Sequence, residues 1–148
     1  MRKNTAFLMI FALISLFVMR SQYAYADEDK SSAQTGAQSV KKIDVEKAHE
    51  LIEEKKGSPD LIILDVRTKE EYSEGHIEDS VNIDVKSESF KDEIGKLEKS
   101  KSYIVHCRTG RRSDTAVKIM EEMGFRDIYK MEGGIVGWQA AGFPVTTK

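Results

Sequence analysis

The sequence predicts an α/β domain with a largely parallel β-sheet, and three observations carry that prediction. Four short runs rich in branched or aromatic apolar residues, "LIILDV", "SVNIDV", "SYIVHC" and "DIYKM", read as strands. Between them lie segments whose apolar residues recur at helical spacing, the alternation expected of parallel strands joined by crossover helices. At 148 residues there is room for one domain and one core, and no internal repeat is visible.

Residues 1–26 read as an export signal outside that domain. Arg2 and Lys3 precede the apolar run "AFLMIFALISLFVM", and "AYA" at Ala24 to Ala26 supplies the small residues a signal peptidase reads, so cleavage is expected after Ala26. The run is shorter than the ~18–20 residues needed to span a bilayer, and Arg20 closes it. A removed signal is therefore favoured over a retained anchor, with no stable membrane insertion after cleavage. The absence of a cysteine near the cleavage region disfavours a lipid anchor. The mature protein is expected in the periplasm of a two-membrane bacterium, or secreted otherwise. Residues 27–39, "DEDKSSAQTGAQS", are polar and without period, a flexible tether to a domain at 40–148.

Within the domain, "KKIDVEKAHELIEEKKG" reads as a helix capped by Asp44, with Val45, Ala48, Leu51 and Ile52 on one face and Gly57 stopping it. After the strand "LIILDV", Thr68 and Glu71 have the spacing of a capping box for a short helix. The charge run "KEEYSE" within it reads as a solvated face. "SVNIDV" is the next strand, and "SFKDEIGKLEKS" then places Phe90, Ile94 and Leu97 on one stripe. After "SYIVHC", Ala116, Val117, Met120 and Met123 repeat at helical spacing up to Gly124. "DIYKM" is a last strand and "GGIVGWQAAG" a last short helix, whose Trp138, with Ile135 and Val136 near it, reads as core packing.

Composition narrows function. Losing residues 1–26 removes Arg2, Lys3 and Arg20 and no acid, so the 23 basic residues fall to 20 against 25 acidic ones, a net charge of −5. Nucleic acid is not expected as a partner, because phosphate binding draws on a broad basic face. Three histidines and one cysteine make no zinc spacing, so no metal site is expected, and His76 and His106 are assigned structural roles. With one cysteine there is no internal disulfide, and the thiol is either buried and inert or free for chemistry.

The setting of Cys107 favours chemistry. It follows "YIVH" at a strand's carboxyl end, where sheets of this class bind ligands, and a helix starting near Ser113 points its N-terminus back toward it. Loop amides, the helix dipole and Arg108, Arg111 and Arg112 all favour thiolate over thiol, so the Cys107 pKa is expected below its ordinary value of ~8.5.

Three motifs, "LDVRTKEEYSEGHIEDSVNI", "CRTGRRS" and "GGIVGWQAAGFPV", give the chain from about Val40 to Val145 a resemblance to single-domain rhodaneses, also called thiosulfate sulfurtransferases. The resemblance implies a central, mostly parallel sheet with helices on both faces. It implies that Cys107 takes the outer sulfur of thiosulfate or a related donor as a persulfide and passes it to cyanide or a thiol-bearing acceptor, without metal or organic cofactor and as a monomer. Arg108, Thr109, Gly110, Arg111 and Arg112 would bind the donor, and Asp65, Arg67 and Ser113 would support the site. After "GHI" the family often turns through Gly-Ala where this chain has "EDS", a departure that bears on the local turn.

Loop length separates this reading from a phosphatase or arsenate reductase on the same fold. Those enzymes place an arginine six positions after the cysteine; here Arg112 is the fifth and Ser113 the sixth, so the bidentate group suited to a phosphoryl oxyanion is missing. A persulfide carrier docking to an exported thiol partner needs the same loop and stays open beside the turnover enzyme.

Overall fold

The computed structural model describes residues 39–148. The export signal read at 1–26, and the tether up to residue 38, lie outside the described residues.

Among the described residues, five parallel strands form one sheet in the order β1-β5-β4-β2-β3. They are β1 (Ser39–Ile43), β2 (Leu61–Asp65), β3 (Val81–Asn82), β4 (Ser102–His106) and β5 (Asp127–Met131), joined by helices α1 (Val45–Glu54), α2 (Lys69–Glu74), α3 (Phe90–Gly95), α4 (Arg111–Glu122) and α5 (Gly134–Ala140). The alternation of side chains along a strand builds two cores. Leu64 of β2 and Tyr103 and Val105 of β4 face Phe90, Ile94, Ala116, Val117 and Met120 of α3 and α4. Ile63 and Ile104 face the other way, onto Val45 and Ala48 of α1 and Ile135 and Trp138 of α5. β2 and β4 are thus covered on both faces, which is why their sequences are continuously apolar. Trp138 is buried as expected, its indole N–H satisfied by the Pro144 carbonyl at 2.8 Å.

The capping signals act as read. Asp44 accepts from the Lys47 amide at 2.8 Å, and Thr68 and Glu71 close a reciprocal capping box. Three details differ from the sequence reading. The first strand, β1, carries no clear strand pattern, since Lys41 and Lys42 interrupt its apolar residues; it forms because β5 offers it a full register, Ser39 opposite Asp127 through Ile43 opposite Met131. The strand read across "SVNIDV" keeps ladder register with β2 only at Val81 and Asn82; beyond them the Ile83 and Val85 amides still donate to the Asp65 and Val66 carbonyls, and a turn at Asp84–Ser87 ends the strand. Helix α4 begins at Arg111, ahead of Ser113. In the "EDS" turn, Asp79 takes the left-handed conformation with φ 59°, a role aspartate tolerates better than most residues.

Candidate active site

Strand β4 is the middle strand of the sheet, so its carboxyl end delivers Cys107 to the centre of one edge of the domain. The turn out of the strand depends on Gly110, whose φ of 118° lets α4 start immediately afterwards. That tight path wraps backbone around the sulfur. Gly110 N–H donates to Sγ at 3.1 Å, and Ser113 Oγ lies 3.8 Å from Sγ while donating to the Gly110 carbonyl at 2.7 Å. Burial, which leaves Cys107 1 % exposed, pushes the thiol pKa up. The amides of Ser113, Gly110 and Thr109, with the Ser113 hydroxyl, outweigh it, and the net effect holds the thiol below its ordinary value. Here the donors are backbone groups, which cost nothing to reorient when charge develops.

The arginines divide into two kinds. Arg108 and Arg111 are exposed, and with Thr109, Arg112 and Lys86 they line an open pocket of about 440 Å³ over Cys107. Arg112 also grips Glu71 of α2 in a two-pronged pair, Nη2 to Oε1 at 2.8 Å, and this bond pulls the Glu71 carboxyl down to about 2. Glu71 therefore does not sit on a solvated face as its charge run predicted; it reaches across to the cysteine loop. Nothing local could reveal this, since the two residues are 41 apart in the chain. Lys86 was likewise unmarked, a single lysine in a polar stretch that only the turn after β3 brings over Cys107.

Of the expected supporting residues, Ser113 lies in the first turn of α4, and Asp65 and Arg67 lie buried at the end of β2. Arg67 Nη2 bonds Asp65 Oδ2 at 2.6 Å and the Gly75 carbonyl at 2.7 Å, and Asn82 Nδ2 holds the carbonyls of Asp65 and Arg67 at 3.0 and 2.9 Å. These side chains tie α2 and β3 to the end of β2. His106 ends β4 with its ring fully buried, 3.8 Å from Asp65 Oδ2 on the sheet face away from Sγ; burial pushes its pKa down and favours the neutral ring. His76 stacks on Tyr72 and bonds its carbonyl at 2.9 Å. Behind the loop, buried Lys130 pairs with Asp114 of α4 and, at 3.1 Å, with Glu132. Among the described residues, no three His, Cys, Asp or Glu gather to hold a metal ion.

A larger cavity of about 520 Å³, lined by His49, Ile52, Leu61, Lys101 and Trp138 among others, opens at the amino ends of β2 and β4. It lies at the opposite end of the sheet from Cys107. The smaller pocket is the candidate site, because a polarised thiol and the exposed Arg108 and Arg111 meet there.

Comparison with known proteins identifies the family. The family model described as "Rhodanese-like domain" matches residues 44–141. The chain is 34 % identical over 79 residues to the thiosulfate sulfurtransferase GlpE of Pseudomonas savastanoi, covering 53 % of this chain and 73 % of that protein. It is 35 % identical over 97 residues to a tRNA uridine(34) hydroxylase of Pelagibacter ubique, covering 65 % of this chain but 31 % of that longer protein. Among solved structures, a rhodanese-related protein of Thermoplasma volcanium superposes with a TM-score of 0.63 at 30 % identity, covering 73 % of this chain and 99 % of that one.

Proposed function

The chain belongs to the rhodanese-like family, and from that premise we propose that it is a sulfurtransferase that moves a sulfane sulfur from thiosulfate, or a related donor, to cyanide or a thiol through a persulfide on Cys107. The observation that carries this reading is the amide cradle: Gly110 N–H stands 3.1 Å from Sγ, with the Thr109 and Ser113 amides also lowering its pKa. Cys107 thiolate attacks the outer sulfur of thiosulfate. A sulfur–sulfur bond forms, the donor's own sulfur–sulfur bond breaks, and the electron pair leaves with sulfite. The terminal persulfide sulfur carries the negative charge into the same ring of donors. An acceptor thiolate or cyanide then attacks that sulfur, and the electron pair of the breaking bond returns to Cys107. Neither displacement calls for a metal or an organic cofactor.

Arg108, Arg111 and Lys86 supply positive potential at the mouth, which draws an anionic donor. Ser113 at the sixth position supports sulfur over phosphate chemistry, because its short hydroxyl is spent on the Gly110 carbonyl and offers no fork for an oxyanion. The same amide cradle would equally serve a second reading, in which the domain is a persulfide carrier for an exported thiol partner. In either role we place the protein outside the cytoplasm, on the strength of the signal read at residues 1–26, and expect it to act as a monomer.

Steady-state production of thiocyanate from thiosulfate and cyanide tests the enzyme reading. Wild-type protein should turn over, and Cys107→Ser should lose at least about 10³-fold while keeping its melting temperature, because a serine hydroxyl stays protonated in the same cradle. Turnover by Cys107→Ser near the wild-type rate would overturn the assignment. Slow turnover with cyanide but fast delivery to a protein thiol would favour the carrier.

A further inference from the structure

The cysteine loop is held from outside by the start of α5. After β5 the chain turns through Gly133 and Gly134, with φ of 77° and 57°. The next two amides bond across to the loop: Ile135 N–H donates to the Cys107 carbonyl at 2.9 Å and Val136 N–H to the Arg108 carbonyl at 3.2 Å. Amides in a helix's first turn have no partner in their own helix, and the bond from Gly137 N–H to the Gly133 carbonyl, at 3.0 Å, comes only after them. The approach is closer than any side chain permits. A Cβ on Gly134 would stand 2.5 Å from both the Cys107 and the Arg108 carbonyl oxygens, whereas on Gly133 the nearest atom would be 3.5 Å away.

Peptide planarity converts this outer contact into an inner one. In a trans peptide the C=O and the following N–H point in opposite directions. An Arg108 carbonyl drawn out to Val136 therefore turns the Thr109 N–H inward, and Thr109 is one of the amides that act on the sulfur. We propose that Gly134 and the two amides after it are a positioning device for the sulfur site, drawing the Cys107 and Arg108 carbonyls outward so that the loop presents its N–H groups to Sγ. Gly134 touches neither substrate nor sulfur; it acts through the loop. The proposal rests on Cys107 being the working nucleophile, but its subject is the state of the thiol, which can be measured without any sulfur transfer.

The test is the pH dependence of alkylation of Cys107 by iodoacetamide in the full chain, read by intact mass, with circular dichroism and a thermal melt on each variant. Cys107 is the only thiol, so each added mass reports one site. Gly134→Ala should slow alkylation near pH 7 about tenfold, the effect of moving the midpoint up by about one pH unit. Val136→Pro removes one donor at an exposed position, in the first helical turn where proline is tolerated, and should slow it about threefold. Gly133→Ala carries the same kind of backbone strain without meeting the loop, and should stay within about twofold even as its melting temperature falls. If Gly134→Ala does not fold, Val136→Pro decides. Wild-type pH profiles in folded Gly134→Ala and Val136→Pro would overturn the proposal, and so would an equal shift in Gly133→Ala, which would mean strain alone. A shifted profile in a protein with no sulfur transfer would leave the positioning role standing and remove the functional reading.

Discussion

The segments that follow β4 and β2 sit side by side at one edge of the domain, and they manage charge in opposite ways. After β4, the charge on Cys107 is met by main-chain amides of Thr109, Gly110 and Ser113, while Arg108 and Arg111 stay exposed. After β2, charge is met by charge: buried Arg67 on buried Asp65, and Arg112 on Glu71. The difference follows from what each must do. An amide ring is fixed in place and carries no formal charge, so it stabilises an anion that comes and goes without binding it permanently as a counter-ion. A side-chain ion pair is strong only when both partners stay, which suits a joint between elements. On the proposed function, one segment serves chemistry and the other shape.

Breaking the second segment should cost stability before activity. Arg67→Ala leaves the Asp65 carboxylate buried and unpaired and frees the Gly75 carbonyl. A loss of about 3–5 kcal/mol is expected in chemical denaturation, with the Cys107 alkylation profile of the surviving folded protein unchanged. A loss under about 1 kcal/mol would show the pair to be replaceable, with His106 Nε2, 3.8 Å from the same carboxylate, the nearest substitute.

The exposed cations sharpen the first segment. Arg108→Ala and Arg111→Ala should each raise KM for thiosulfate about threefold to tenfold with little change in kcat, an effect that shrinks at high salt as screening replaces the lost charge. A fall in kcat at constant KM would instead place these arginines against the transition state. Lys86→Ala should act in the same direction, since that side chain lines the same pocket.

Glu71 gives the smallest effect, because its pair with Arg112 is partly open to solvent, at 25 % and 19 % side-chain exposure. Glu71→Gln should cost about 1 kcal/mol or less near pH 7. The sign with pH follows from a carboxyl depressed in the folded state: its contribution is whole above the ordinary value of 4.5 and is lost as pH falls toward about 2. Wild type should therefore lose stability across that window more steeply than Glu71→Gln, in denaturant melts taken at each pH. Parallel curves would show that the pair does not contribute.

These contrasts mirror what could be read before folding. The parallel sheet and the helix starts at Asp44 and Thr68 were legible because they are written in neighbouring residues: branched runs, and a capping residue three positions before its partner. The cysteine loop was legible for the same reason, since Cys107 through Ser113 is one short stretch that makes its own turn. β1 was not, because Lys41 and Lys42 break its apolar pattern and its partner, β5, is far along the chain. The role of Glu71 was hidden by the 41 residues that separate it from Arg112. The sequence reading shared the tuning of Cys107 between amides and arginines; in the structure the amides lead, after burial, because they touch Sγ, whereas Arg108 and Arg111 lie exposed in the pocket rim. The "GG" before α5 was visible as a pair of letters, but only the 2.5 Å approach to two carbonyls shows that its second member must lack a side chain.

The central claim is that Cys107 carries a transferable sulfur. Intact mass of the protein after exposure to thiosulfate and removal of excess donor tests it most directly. The account predicts a gain of one sulfur atom, mapped to Cys107 and absent in Cys107→Ser, that disappears on adding cyanide with release of one equivalent of thiocyanate. Unchanged mass under conditions where the thiol is free to alkylate, or added sulfur that cyanide does not remove, would contradict it.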